Sequence, residues 1–107
     1  MKTVANRESL SARTSPEALA KAADMLKVVA HPVRLSMLDL LRDDQQMSVL
    51  AFQEKLKLPQ AIASQHLILM QRRGILGSAR VGKNKMYFIA QKEIINIVNC
   101  VEHCCIP

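Results

Sequence analysis

The stretch Pro59-Gln60-Ala61-Ile62-Ala63-Ser64-Gln65-His66-Leu67-Ile68-Leu69-Met70-Gln71-Arg72-Arg73-Gly74 decides how the chain reads. Pro59 can open a helix, because its fixed φ suits a first turn and its missing N–H would have no partner there. Gly74 can close that helix in the left-handed conformation, directly after the basic pair Arg72 and Arg73. Between these signals Ile62, Leu67, Leu69 and Met70 are expected to point inward. Gln60, Ala61, Ser64 and Gln65 occupy the first two turns without a charge among them.

Downstream, Ile75 to Val81 and Lys85 to Ile89 read as two short strands around Gly82-Lys83-Asn84, a hairpin with a basic tip. The chain then closes with a helix from about Gln91 to Cys105, in which Ile94, Ile95, Ile97, Val98 and Val101 cover more than one face. Upstream, His31-Pro32 divides two helices, since the residue before a proline avoids the helical region while the proline itself suits a first turn. The earlier of the two begins at Ser15-Pro16-Glu17 and carries Leu19, Ala22, Ala23, Leu26, Val29 and Ala30 at helical spacing. The later carries Leu35, Leu38, Leu40 and Leu41. After the polar connection Asp43-Asp44-Gln45-Gln46, Ser48 can cap a short helix bearing Leu50, Phe52 and Leu56. Residues 1–14 are polar and aperiodic and read as a flexible arm, which leaves residues 15–107 as one domain, mainly α, of about five helices and a two-stranded wing.

The chain has 107 residues, 50% hydrophobic and 22% charged, a composition that supports one globular domain and argues against disorder. Aromatic residues make up only 3%, so the core must come from aliphatic side chains and Met, which favours helices. Without an apolar run of membrane-spanning length or a signal peptide, a soluble cytoplasmic protein with no membrane partner is expected. Three cysteines crowd the last eight residues, too few and too close for a disulfide framework. The net charge is +6, and its distribution says more than its size. From Lys55 to Lys92 there is no Asp or Glu, although the window holds eight of the fifteen Lys and Arg residues. A scattered excess of charge would be a solvated face; a contiguous one points to a polyanion, most often nucleic acid.

Helix, short helix, tight turn, a helix with small polar leading residues, then a basic hairpin is the order of a winged helix-turn-helix. A helix entering a major groove about 12 Å wide needs leading residues that are small or hydrogen-bonding, and a Gln can read adenine through both ends of its amide. Arg72, Arg80, Lys83 and Lys85 would then hold phosphates and set register.

Three segments resemble the ArsR/SmtB family of winged-helix repressors. Residues 26–38, Leu-Lys-Val-Val-Ala-His-Pro-Val-Arg-Leu-Ser-Met-Leu, resemble its L-A-[DH]-P-T-R-L-x-I-L opening. Pro59 to Leu67 resembles its S-Q-S-x-V-S-x-H-L recognition helix. Arg73-Gly74-Ile75-Leu76 with Arg80, Gly82-Lys83 and Tyr87 resembles its wing. The resemblance spans about residues 19 to 105. It implies a homodimer, held by the first and last of the helices above, that represses promoters at a pseudo-palindromic operator on double-stranded DNA until an inducer alters the dimer. The apolar excess of the last helix argues for the same dimer. Candidate DNA contacts are Ser48, Gln60, Ala61, Ser64, Gln65, His66, Arg72, Arg80, Lys83 and Lys85. His66 suits a helix-orienting role or a phosphate contact, and His31 a helix cap.

Sensor sites known in the family do not transfer. Ser48 and Leu50 stand where some members open the third helix with a cysteine pair, and Gln91, Glu93, Cys104 and Pro107 stand where others place metal ligands. The dithiol type pairs a last-helix cysteine with one in the second helix, where this chain has Asp39. Cys100, His103 and Cys104 nonetheless share a helix face at i, i+3 and i+4, and two thiolates with an imidazole suit a soft metal ion or thiol redox chemistry. Cys105 could join them at a frayed end. The simpler reading makes Cys100 a small interface residue and Cys104 and Cys105 exposed thiols, with no cofactor required. No nucleophile, phosphate loop or carboxylate pair suggests an enzyme. The alternative function is a winged-helix module that binds an acidic protein surface without reading DNA.

Overall fold

In a computed structural model that describes residues 8–105, the elements run α1 Leu10–Arg13, α2 Pro16–Val29, α3 Pro32–Asp44, β1 Met47–Ser48, α4 Val49–Leu56, α5 Gln60–Arg72, β2 Leu76–Val81, β3 Asn84–Ile89 and α6 Ile94–Cys105. Side chains that accept from otherwise unpaired backbone N–H groups set where the helices begin. Ser15 Oγ accepts from Ala18 N at 3.0 Å, His31 Nδ1 from Val33 N at 3.1 Å and Ser48 Oγ from Ala51 N at 3.2 Å. Three residues with positive φ mark helix ends, Gln45 (70°) closing α3, Lys57 (55°) closing α4 and Gly74 (77°) just beyond α5.

The described residues thus hold six helices and three strands, one of each more than the sequence suggests. The extra helix, α1, is a single turn within the stretch expected to be a flexible arm, capped by Ser9 Oγ, which accepts from Ala12 N at 3.2 Å. The rest of that arm, residues 1–7, lies outside the described residues. The extra strand is β1, which pairs antiparallel with β3 through Met47 opposite Tyr87 and Ser48 opposite Met86, giving the sheet order β1-β3-β2. Two residues are too few to display a strand period. Boundaries shift as well. Pro59 is the N-cap rather than the first residue of α5, α6 starts at Ile94, and the hairpin turn narrows to Gly82-Lys83 because Val81 pairs with Asn84. Gly82 takes φ 63° at the first turn position, as a type II′ turn requires.

Met37, Leu38 and Leu41 of α3, Phe52 of α4, and Ala63, Leu67 and Met70 of α5 meet Ile75, Leu76, Tyr87, Ile94 and Val98 in one core. Several apolar residues expected at buried spacing are exposed, among them Ala22, Ala23 and Ala30 of the first long helix. Ile62 is 39% exposed, Leu50 61% and Leu26 52%. The buried stripe of α5 runs through Ala63, Leu67 and Met70, at i, i+4 and i+7, and Ile62 lies one residue off it. On α2 only Val28 and Val29 are buried. The last helix is clasped to α3 by Arg42, whose guanidinium donates to Asn99 Oδ1 and Glu102 Oε1, each at 2.8 Å, and pairs with Asp39 at 2.7 Å.

Phe52 and Leu50 share one short helix and differ only in what covers them. Replacing Phe52 by Ala is expected to cost about 3–5 kcal/mol through lost burial and an unfilled cavity. Leu50→Ala should stay within about 0.5 kcal/mol. Urea unfolding of the two variants checks the contrast.

Candidate nucleic-acid interface

Helices α4 and α5 are joined by Lys57-Leu58-Pro59, a tight turn in which the left-handed Lys57 reverses the chain. Because Pro59 makes no side-chain cap and its carbonyl is first used by Ala63 N at 3.0 Å, the N–H groups of Gln60, Ala61 and Ile62 have no intrahelical acceptor. They sit at the positive end of a 13-residue helix, an arrangement suited to an anion. With Ala63, Leu67 and Met70 fully buried, the helix cannot rotate without breaking the core. That anchorage leaves Gln60, Ala61 and Gln65 exposed and Ser64 half-buried at its rim.

The wing is tied to the same helix. Gln71 Nε2 donates to Ser78 Oγ at 2.9 Å, linking the last turn of α5 to β2. Arg80, Lys83 and Lys85 project around the hairpin tip, all exposed, with Arg80 donating to the Lys83 carbonyl at 3.5 Å and Lys85 Nζ lying 4.9 Å from the centre of the Tyr87 ring. Not every cation of the acid-free window is available. Lys55 pairs with Asp44 at 3.8 Å and Arg73 with Asp24 of α2. Arg72, Arg80, Lys83 and Lys85 form no ion pair among the described residues. Ser48, expected as a contact, is half-buried with its Oγ already accepting from the α4 backbone, though its hydroxyl proton stays available.

His66 is placed differently from the other candidates. It is half-buried, its Nδ1 accepts from Arg34 Nε at 3.2 Å, and its ring stacks tilted against His31 with centroids 4.8 Å apart. Burial, reinforced by the charges of His31 and Arg34, holds its pKa below the usual histidine value, so it is neutral at pH 7. Its Nδ1 is thus taken up by a contact within the chain. The partner, Arg34, belongs to the quoted His31-Pro32-Val33-Arg34 segment but carried no sequence signal of its own, because the contact joins residues 32 apart.

On α6 the thiol set is only half assembled. Cys100 Sγ and Cys104 Sγ stand 3.7 Å apart on the exposed side of α6. His103 turns Nδ1 back to the Asn99 carbonyl at 2.7 Å, and Cys105 is exposed elsewhere on the helix. Among the described residues no group of three His, Cys, Asp or Glu side chains is placed to hold a metal ion. The hydrogen bond to Cys100, and then its charge, raise the pKa of the Cys104 thiol.

Residues 29–77 match the helix-turn-helix domain family. Over 82 residues the chain is 32% identical to an uncharacterized HTH-type transcriptional regulator of Methanocaldococcus jannaschii, covering 77% of this chain and 92% of that protein. It is equally similar, 32% over 82 residues, to the HTH-type transcriptional repressor SmtB of Mycobacterium tuberculosis, of whose length it spans 60%. The crystal structure of the transcriptional repressor PagR of Bacillus anthracis superposes with a TM-score of 0.73 at 32% identity, covering 79% of this chain and 97% of that one.

The thiol geometry has a direct chemical consequence. A thiol whose pKa is raised holds less thiolate at a given pH and so reacts more slowly with an alkylating agent. Cys100→Ala should therefore speed iodoacetamide labelling of Cys104 near neutral pH, read by mass spectrometry of the C-terminal peptide. An unchanged rate would count against the pairing.

Proposed function

The chain belongs to the ArsR/SmtB family of winged helix-turn-helix transcriptional regulators, and from that premise we propose that it is a sequence-specific repressor whose α5 reads bases in the major groove. The observation that carries this reading is the rotation of α5. A fully buried stripe of Ala63, Leu67 and Met70 turns Gln60, Ala61 and Gln65 outward. Their amides and methyl group suit base edges. The open N–H groups of residues 60–62 with Arg72, Arg80, Lys83 and Lys85 suit the phosphates on either side. Ser48 and Ser64 would add minor contacts. The function is binding and regulation in the cytoplasm, not catalysis, and no helix among the described residues is long and apolar enough to cross a membrane.

The working species in this reading is a homodimer on a pseudo-palindromic operator. Support comes from α2, where Leu26 is 52% exposed and Leu19 and Met25 are only half-buried, and from α6, whose Ile95, Ile97 and Val101 are half-buried. A second copy laid on these helices would cover that surface and bring a second α5 to the next half-site, about 34 Å along the duplex. DNA binding needs no cofactor. An inducer would act on the dimer, and the Cys100 and Cys104 pair is chemically suited to a soft metal ion or a thiol-reactive agent.

Binding to a duplex selected by the chain from a random pool tests the reading. Gln60→Ala and Gln65→Ala should each lose about 1–3 kcal/mol on the selected duplex and little on mixed sequence. Lys83→Ala should weaken both and reduce the slope of log affinity against log salt by about 1. Equal losses on both duplexes for the Gln variants would remove the base-reading role and favour a protein partner. Separately, Leu26→Glu should shift the chain toward monomer in analytical ultracentrifugation; a dimer of unchanged stability would take α2 out of the interface.

A further inference from the structure

A helix leaves its last four carbonyls without intrahelical donors. In α2 one of these belongs to Val28, and residue 32, whose N–H would serve it in a longer helix, is Pro32 and has none to give. Arg34 NH1 supplies the missing hydrogen bond at 2.9 Å. The Nε of the same guanidinium donates to His66 Nδ1, in the second turn of α5, at 3.2 Å. One rigid planar group therefore spans the end of α2 and the helix read above as the DNA-reading element.

We propose that Arg34 is a positioning residue that straps α5 to the end of α2, and that the strap holds only while His66 is neutral. A guanidinium has donors and no acceptor, so the Nδ1 it meets must carry no proton. A protonated His66 would set N–H against N–H and cation against cation. The charged and titratable groups acting on His66 are Arg34 and His31, both at the start of α3. The Nδ1 of His31 is itself occupied as acceptor from Val33 N. From α2 the contact is the Val28 carbonyl reached through Arg34. On α4, which also packs on α5, Lys55 turns to Asp44 and Glu54 is exposed, while the first two turns of α5 carry no charged residue.

The direction of the pH effect follows. His66 titrates below its ordinary value in the folded chain, first from burial and then from its two neighbours. The strapped arrangement is therefore fully favoured above the unfolded value of about 6.5 and is lost as pH falls from there through the folded pKa. Because α2 is also the helix assigned to the dimer, the strap fixes the angle between the dimer surface and the reading helix. It rests on the reading of α5 given above.

Two measurements test it together: the titration of the His66 ring by NMR, and the preference of the chain for its selected duplex over a mixed-sequence duplex between about pH 7.5 and 5.5. The ratio of the two affinities cancels the general gain of positive charge in acid. Wild-type preference should fall about tenfold across that range, the worth of one hydrogen bond to a charged group. In His66→Gln and in Arg34→Gln, each referred to its own value at the upper pH, the fall should vanish, and Arg34→Gln should move the His66 titration upward. Should Arg34→Gln not fold, Arg34→Lys is expected to lose the fall in the same way, since it keeps the charge but cannot reach both acceptors. A preference that rises in acid would make His66 a phosphate contact and overturn the proposal, as would a fall that both variants retain. A wild-type chain with no preference at any pH defeats the DNA reading of α5 itself, and the NMR titration then still decides whether Arg34 holds His66: an unmoved titration in the Arg34 variant rejects the strap.

Discussion

The burial of three small or slender residues on one stripe of α5 is the constraint on which the rest of the molecule turns. Ala63, Leu67 and Met70 sit at zero exposure against Phe52, Met37 and Ile75, and an α-helix held along i, i+4 and i+7 has no rotational freedom left. Everything proposed for function is the other side of that helix. Had the stripe run through Ile62, the larger and more apolar residue, the helix would be turned by roughly one residue, about 100°, and Gln60 and Gln65 would no longer share the outer face with Ala61.

This explains how much of the site was legible in the sequence. The start and stop of α5, the hairpin and the basic window are local signals, and Pro59, Gly74, Gly82 and the missing acids announce them within a few residues. The phase of the helix is not local. Hydrophobicity ranks Ile62 above Ala63, and only the shape of the facing helix reverses that order. Leu50 and Leu26 misled in the same way, since apolar character says that a residue is better covered, not that the same chain covers it. Strand β1 was invisible because two residues show no period and its pairing with β3 joins residues 38 and 40 positions apart. The link from Arg34 to His66 was invisible for the same reason of distance, and the thiol set misled because helical spacing brought Cys100 and Cys104 together while a backbone carbonyl captured His103.

The electrostatics sharpen by subtraction. Of the cations in the acid-free window, Lys55 is neutralised by Asp44, and Arg73 bridges to Asp24 on α2. Such exposed pairs add little stability, but they decide which charges remain for a polyanion. Six cations of the window remain: Lys57 in the turn before α5, Arg72 at its end, Arg80, Lys83 and Lys85 around the wing, and Lys92 beyond β3, while the open N–H groups lie in the first turn of α5. Positive potential thus brackets an uncharged reading surface. Charges placed on that surface would bind any duplex; charges flanking it set register and leave discrimination to Gln60, Gln65 and their neighbours.

The proline devices connect these parts. Pro59 frees the first N–H groups of α5 from any side-chain cap, so that they remain donors in search of an acceptor. At the end of α2 the converse holds: the Val28 carbonyl is one of the helix's last, unpaired acceptors, and Pro32 has no N–H to offer it. The chain resolves the first by leaving it open to a ligand and the second internally, with Arg34. That asymmetry has a mechanical meaning. An open helix start can engage or release an anion without disturbing the core, whereas the end of α2 is bound to α5 through a single side chain whose other bond depends on a neutral imidazole. A displacement of α2, from whatever acts on the surface it presents, therefore has a short route to the reading helix: one guanidinium and one ring, with no need to repack Ala63, Leu67 or Met70. Arg73 adds a second tie between the same two elements at the far end of α5, reaching Asp24 one turn before Val28. Two ties along one helix constrain its tilt where a single tie would leave a pivot, and the tie through His66 is the one that a proton can open.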